Sequence, residues 1–437
     1  MIDLADALAL VERTAAPLPP RRLQLAAAVG RLLSAGIIAD GDSPPWDRAM
    51  MDGFAVRDAD MAGGGIVELE VVTDLAAGDV TSLTLRPGSC ARIMTGAPIP
   101  PGADAIVPVE RAVDGTAGTH AGGRVRLHEK TFRPGQHVGR QGAAYRQGQE
   151  VLAAGMWLGA AEIALAAEAG ATHVVADAPV RVAILQSGSE LVPHDTMPAF
   201  GQTRNSNGPM LAAAVTLLGG EPIPLGVAAD RPEAIRAAVA KGLAADVLLL
   251  SGGVSAGDLD LVPGILAACG VDEVFHKVRL KPGKPVWFGR LARPAGEAPT
   301  LVFGLPGNPV SSLVCFELFV RPALAILSGR PRQAWHLPRT TAVLTAPVKA
   351  APDRPVYLPG RLRPMTAGAA GADSSRIDSR GAARLEIEPL PWTGSSDLRG
   401  MAGASGLIAL PAAAGLVAAG TGVDVLVRDS GTSGGRE

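Results

Sequence analysis

The chain has 437 residues, 47% of them hydrophobic but only 3% aromatic; at roughly 100–200 residues per domain this is two to four domains and excludes a single small module. Gly (54) and Pro (36) make up about a fifth of the chain, against roughly an eighth in average proteins. No G-x-y period accompanies them, so the composition describes a loop-rich globular protein. Lys+Arg (40) nearly balances Asp+Glu (42), for a net charge of −2, which lacks the basic field of a nucleic-acid binder.

In chain order, the spacing of Leu4, Leu8 and Val11 behind a capping Asp3 predicts a helix over 3–15. Prolines 17, 19 and 20 end it, and Leu25, Val29, Leu32 and Leu33 predict a second helix over 21–35. Residues 40–60 lose any period. Short strands are expected at 67–73, 82–85, 91–94, 105–109 and 124–128, punctuated by Gly and Pro as in a small all-β domain. A Gly/Gln-rich stretch at 134–150 reads as loop, and 159–169 as helix. From 180 to 328 strands (180–185, 222–227, 246–250, 273–278, 300–303) alternate with helices (207–218, 232–243, 259–268, 310–327), the pattern of a doubly wound parallel sheet. Short strands return at 339–344, 383–388, 406–410 and 424–427 as a second β domain. Residues 366–381 are expected to be a mobile loop and 431–437 a frayed tail.

Cys90, Cys269 and Cys315 lie far apart, with no C-x-x-C pair, which predicts free thiols in a reducing compartment. The acidic N-terminus has no secretory pattern. No run reaches the roughly 18 uncharged apolar residues of a membrane helix, and the seven His residues show no zinc-type grouping. The sequence thus predicts a soluble, cytoplasmic protein with neither nucleic acid nor membrane as partner.

In a doubly wound sheet, ligands bind beyond the carboxyl ends of the strands. Four such ends here carry unusual loops: Ser187-Gly188-Ser189-Glu190; Ser251-Gly252-Gly253-Val254-Ser255 and on to Asp258 and Asp260; Lys281-Pro282-Gly283-Lys284-Pro285; and Pro306-Gly307-Asn308-Pro309 leading to Ser311. Side-chain-free turns let backbone N–H groups converge on an anion, and a helix start is a ready anion site. Neither G-x-G-x-x-G nor a P-loop is present. Together the loops predict a pocket for a phosphorylated, nucleotide-like ligand. Glu190, Asp230, Asp258 and Asp260 would repel phosphates unless a hard divalent cation such as Mg²⁺ intervened. Outside this region Met51-Asp52-Gly53 and the 92–98 string with Thr95 also stand out.

The strings S-P-P-W-D-R-A-M-M-D-G-F-A-V-R (43–57), R-I-M-T-G-A-P-I-P-P-G-A-D-A-I-V-P-V-E (92–110), S-G-S-E-L (187–191), N-S-N-G (205–208), L-S-G-G-V-S-A-G-D-L-D (250–260), K-P-G-K-P (281–285) and G-L-P-G-N-P-V-S-S (304–312) carry a resemblance. In this order and spacing the chain resembles the molybdopterin molybdenumtransferases of molybdenum cofactor synthesis, the bacterial MoeA type, and is similar to the gephyrin E domain. The match runs to about residue 328 and continues loosely through Gly394-Ser395 and 404–411.

The resemblance implies a multidomain α/β plus β protein. Its parts would be a helical elongated domain (1–45 with 135–178), an inserted β domain (46–134), an α/β molybdopterin-binding domain resembling an adenylyltransferase fold (179–329) and a C-terminal β domain (330–437). It implies a homodimer whose cleft joins the α/β domain of one subunit to the β insertion of the other, with the pathway's adenylyltransferase as a further partner. The implied reaction takes adenylylated molybdopterin and molybdate, releases AMP with Mg²⁺ and inserts molybdenum. Carried over by motif, Glu190, Asp230 and Asp260 form an acidic, metal-holding site, with Asp52 and Thr95 from across the interface. Asn207, Ser251, Gly252, Gly253, Ser255, Lys281, Lys284, Pro306, Gly307, Asn308, Pro309 and Ser311 bind substrate. The sequence departs from the family pattern at Arg48-Ala49-Met50, where Asn-Ser-Ala is usual, at Gly135-Gln136-His137 for Gly-Glu-Asp, and at Ser187-Gly188-Ser189-Glu190 for Thr-Gly-Asp-Glu. Two acids are lost, so a binding protein of the same fold stands as the alternative to an active transferase.

Overall fold

The computed structural model describes residues 1–253, 261–365 and 385–428. Contacts within the chain gather into two units, Met1–Arg21 with Asp177–Glu437, and Arg22–Ala176. The expected mobile loop at 366–381 and tail at 431–437 lie outside the described residues.

The first unit opens with helix α1 (Leu4–Thr14), which buries Ala7 and Val11. Its sheet is built from β1 (Arg181–Ser187), β2 (Glu221–Ala228), β3 (Val247–Ser251), β4 (Asp272–His276), β5 (Trp287–Leu291) and β6 (Thr300–Leu305), in the spatial order β2-β1-β3-β6-β5-β4. The helices are α2 (Asn207–Leu217), α3 (Pro232–Gly242), α4 (Leu261–Ala268) and α5 (Pro309–Leu327). Alternation along each strand assigns the two faces, because successive side chains point to opposite sides. Val182, Ile184, Val247, Leu249 and Phe303 pack with Leu211, Val215 and α5. Ala183, Leu185, Leu248, Leu250 and Val302 pack with Ile235, Val239 and Leu266. A sheet covered on both faces needs near-continuous apolar strands, and these are such.

The sheet is doubly wound but mixed. β2, β1, β3 and β6 are mutually parallel, while β5 runs antiparallel to both β6 and β4. The strand Trp287–Leu291 had no counterpart in the sequence reading. It follows β4 through residues 277–286, a connection shorter than the roughly dozen residues a parallel crossover needs, and pairs with β4 antiparallel. The carboxyl end of β4 nevertheless falls on the same edge as those of β1, β3 and β6, since two reversals restore its direction. α5 is long and apolar enough to cross a membrane by composition, and it is 94% buried inside the protein.

Beyond α5 a closed five-stranded barrel is formed by Arg339–Leu344, Leu385–Pro389, Val356–Pro364, Gly406–Leu410 and Gly422–Val427. Its core holds Ala342, Val356, Ile387, Ile408 and Val425. The strand Val356–Pro364, which contains Pro359 and Gly360, escaped sequence reading because both residues ordinarily mark interruptions.

In the second unit, a five-stranded sheet runs in the order Ala105–Pro108, Gly53–Val56, Ser89–Ile93, Ile66–Leu75, Arg124–His128. Two expectations fail here. The predicted helix over 21–35 is instead a strand Arg21–Gln24, a single 3-10 turn Leu25–Ala28 and extended chain. Gly30 sits at φ +71°, which a helix forbids. The backbone of this segment is spent on tertiary pairing, with Gly30 N–H donating to Leu158 O, Leu33 to Met156 O and Ser34 to Val175 O. The predicted strand 82–85 is irregular: Val80 and Leu83 are exposed and only Leu85 turns inward. Gly53–Val56, fully buried, is a strand where turn residues had masked any period. Gly53 is required there, because a Cβ would lie 2.1 Å from Val107 O on the neighbouring strand.

Candidate functional site

The loops at the carboxyl ends of β1, β3, β4 and β6 line one cleft of about 1810 Å³, to whose lining residues 349–354 and 392–396 of the C-terminal part also contribute. This is larger than the roughly 300–1,000 Å³ of an ordinary small-ligand pocket, and leaves room for a ligand of two linked parts.

A hydrogen-bond chain holds the loops in register. The Asn207 amide donates to Ser251 Oγ and to Gly307 O, both at 2.7 Å. The Ser251 hydroxyl in turn donates to Pro306 O at 3.4 Å. Ser251, at the last position of β3, is buried, so this residue acts below the cleft surface. Asn308 Nδ2 donates to Ser395 Oγ at 2.7 Å. Val310 N–H, one of the donors expected to be free at the start of α5, donates to Ser395 O at 3.0 Å. The anion-binding capacity of that helix start is therefore partly taken up by the C-terminal part.

The lysine turn is tied down on two sides. Lys281 N–H donates to Pro355 O and Tyr357 N–H to Lys281 O, at 3.0 and 2.8 Å. From below, Cys315 Sγ donates to Gly283 O at 3.6 Å. Lys281 and Lys284 themselves are exposed to the cleft. Asp353, which also lines it, is held below the ordinary carboxylate range by the Arg354 guanidinium, with Lys284 adding its charge.

The acids divide. Glu190 and Asp230 both line the cleft. Asp230 Oδ2 accepts from Ser189 N–H at 2.9 Å and Asp230 N–H donates to Ser189 Oγ at 3.4 Å. The contact to the Asp230 carboxylate thus comes from the Ser189 backbone, while the serine hydroxyl accepts from the Asp230 main chain. Asp260, together with Asp258 and Ser255, lies outside the described residues. Among the described residues no three His, Cys, Asp or Glu side chains converge on one point. The donors that Glu190 and Asp230 offer are hard carboxylate oxygens, a set that fits Mg²⁺ bound by one or two carboxylates plus phosphate oxygens.

Of the other expected substrate-binding residues, Asn207, Gly252, Gly253, Lys281, Lys284, Pro306, Gly307, Asn308, Pro309 and Ser311 all line this cleft. Asp52 and Thr95 belong to the second unit, where they meet. Asp52 Oδ1 accepts from both Thr95 Oγ1 and Thr95 N–H at 2.7 Å, and the Thr95 hydroxyl and amide hold the Asp52 carboxyl below its usual range. The departures Ala49 and His137 frame the same turn: Gly96 N–H donates to Ala49 O and Met50 N–H to His137 O. Sequence reasoning missed Lys349, Asp353, Arg354 and Thr393 in the cleft. They come from a domain whose motifs are weak, and only Gly394-Ser395 gave a signal.

Fold and cleft define an α/β protein with a cleft-forming set of loops at its strand ends, where Lys281 and Lys284 are exposed. Three family models match: "MoeA N-terminal region (domain I and II)" over residues 2–170, "Probable molybdopterin binding domain" over 183–326 and "MoeA C-terminal region (domain IV)" over 341–427. The molybdopterin molybdenumtransferase of Nostoc sp. is 39% identical over 311 residues, 70% of this chain and 69% of that one. Molybdopterin molybdenumtransferase 2 of Mycobacterium tuberculosis is 34% identical over 417 residues, 93% of this chain and 94% of that one. A crystal structure of the molybdopterin biosynthesis moea protein from Pyrococcus horikosii superimposes with a TM-score of 0.72 at 28% identity, covering 98% of this chain and 99% of that one. The chain belongs to the molybdopterin molybdenumtransferase family. It is an enzyme of molybdenum cofactor biosynthesis.

Proposed function

We propose that the cleft binds adenylylated molybdopterin with molybdate, cleaves the adenylate to release AMP, and inserts molybdenum into the dithiolene. The observation that carries this reading is the meeting, on one sheet edge, of the Gly252-Gly253 turn, the Lys281 and Lys284 cations and the Asn207–Ser251–Pro306 hydrogen-bond chain. Cleavage adds water across the phosphoanhydride, giving AMP and the molybdopterin phosphate. Such a reaction needs charge neutralisation and positioning more than a covalent nucleophile. Lys281 and Lys284 offset the charge that grows on the phosphate oxygens. The backbone at Gly252 and Gly253 approaches the phosphates without side-chain obstruction. Mg²⁺ would be held by Glu190 and Asp230, with Asp260 as a further ligand, and would supply neutralisation of the anhydride oxygens. Asp52, kept ionised by Thr95, serves the cleft of a second copy in a homodimer, a reading supported by the resemblance of the 43–57 and 92–110 strings to the family. The enzyme works in the cytoplasm, where the adenylyltransferase that makes its substrate would hand it over.

The test is AMP release, followed by chromatography, from authentic adenylylated molybdopterin supplied with Mg²⁺ and molybdate. Wild type is expected to release AMP, and Asp230→Asn and Asp260→Ala to do so at least tenfold more slowly. No release by wild type would overturn the reading, and unchanged rates would remove those acids from it.

A further inference from the structure

In the cleft lie two buried polar atoms that have no hydrogen-bond partner among the described residues. Ser187, the last residue of β1, is 7% exposed and lines the cleft, yet its Oγ makes no hydrogen bond among the described residues. Asn207, the first residue of α2, is 8% exposed and lines the cleft, and its Oδ1 is likewise unpartnered. Buried polar atoms are ordinarily satisfied, so two in one cleft need a cause.

The orientation of Asn207 is not free. Gly307 O is purely an acceptor, so the side chain must turn its NH₂ toward it, as the 2.7 Å contact records. The second amide hydrogen goes to Ser251 Oγ, whose own hydrogen goes to Pro306 O. Oδ1 is therefore a fixed acceptor. Ser187 Oγ lies under the Gly252-Gly253 turn, 2.8 Å from where a Cβ on Gly253 would sit. It is a hydroxyl that donates or accepts as its ligand requires. Neither group carries charge, in contrast to the lysines in the same cleft.

We infer that Ser187 and Asn207 recognise the uncharged heterocyclic part of the substrate, accepting a ring or exocyclic N–H at Asn207 Oδ1 and donating to a neighbouring ring carbonyl or nitrogen from Ser187 Oγ. This inference rests on the reading of the cleft as a site for a phosphorylated two-part ligand, and assigns its neutral end. The N–H-beside-acceptor edge occurs in both halves of that ligand, in a pterin and in adenine. Ser187 becomes a specificity residue, although it stands in a loop otherwise notable for its missing acid.

The experiment is calorimetric binding of three probes, 6-hydroxymethylpterin, adenosine and inorganic pyrophosphate, to the full chain as wild type, Ser187→Ala and Ser187→Thr. Because the hydroxyl has no partner among the described residues, Ser187→Ala should unfold at the same temperature as wild type or higher. It should weaken one heterocycle about tenfold, the scale of one neutral hydrogen bond, and leave pyrophosphate unchanged. Ser187→Thr, which keeps the hydroxyl, should restore binding. Whichever of pterin and adenosine is weakened names the half that is read. If neither heterocycle binds wild type, if both bind Ser187→Ala as they bind wild type, or if pyrophosphate is weakened equally, the inference is overturned. Heterocycle binding lost in Ser187→Ala while pyrophosphate fails to bind even wild type would leave it standing and overturn the phosphate reading instead.

Discussion

Asp52 faces solvent, where a carboxylate ordinarily titrates near about 3.9, yet two donors from a single residue lower its pKa. The Thr95 hydroxyl is the larger influence and the Thr95 amide the next. Both hydrogen bonds favour the ionised form. A group whose folded pKa is depressed contributes stability that is present above the unfolded value and lost as pH falls through the folded one. The contribution here is therefore complete at neutral pH and disappears only in acid below the ordinary carboxylate range. Thr95→Val removes the hydroxyl and keeps the amide, so the Asp52 midpoint should rise part of the way back toward the ordinary value. Carboxyl ¹³C NMR titration reads this directly, and an unmoved midpoint would mean the hydroxyl does not bond Asp52 in solution. Both residues were visible in the sequence as members of motifs. That they touch was not, because they stand 43 positions apart and are joined by the pairing of Gly53–Val56 with Ser89–Ile93, one of whose strands turn-forming residues had concealed.

Among elements, α5 does more than cover the sheet. Its Pro309 end borders the cleft, and its middle carries Glu317, which is buried, paired with Arg321 at 2.6 Å and approached by Arg428 at 3.8 Å. Arg428 follows the last barrel strand and also donates to Met401 O and Ala404 O. Its burial lowers its pKa, and Glu317 opposes that shift. Glu317→Gln would leave a largely buried guanidinium facing a neutral amide. Breaking a buried pair on one side costs about 3–5 kcal/mol, and we expect about 3 kcal/mol here, since both arginines keep some exposure. Urea unfolding measures it, and a loss below about 1 kcal/mol would place the pair with ordinary surface bridges. Such a contact is illegible in sequence, where Glu317 was one acid in an apolar helix. What was legible were elements whose own periodicity decides them: α3, with Ile235 and Val239 buried on one stripe, and β1, β3 and β6. What was misread, as over 21–35, were segments whose backbone is claimed by distant partners, against which local periodicity carries little weight.

At the scale of the whole molecule, the residues proposed to act together are distributed over two units of one chain, with Glu190 and Asp230 in the first and Asp52 and Thr95 in the second. The proposed homodimer makes a prediction that a self-contained subunit cannot meet. In a closed twofold dimer each cleft would take its acidic pair from one copy and Asp52 from the other. Asp52→Ala and Glu190→Ala should each be inactive as homodimers. When the two variants are coexpressed with different tags, a mixed dimer carries one cleft with both defects and one with neither. Half of randomly assembled dimers are mixed and each has one intact cleft of two, so the unfractionated mixture should recover about a quarter of wild-type AMP release. Dimers purified through both tags should reach about half. Were Asp52 to serve the cleft of its own chain, every cleft in the mixed dimer would hold one defect and recovery would be nil. Nil recovery from doubly tagged dimers would therefore remove the shared cleft, and a failure to isolate doubly tagged protein would remove the dimer itself.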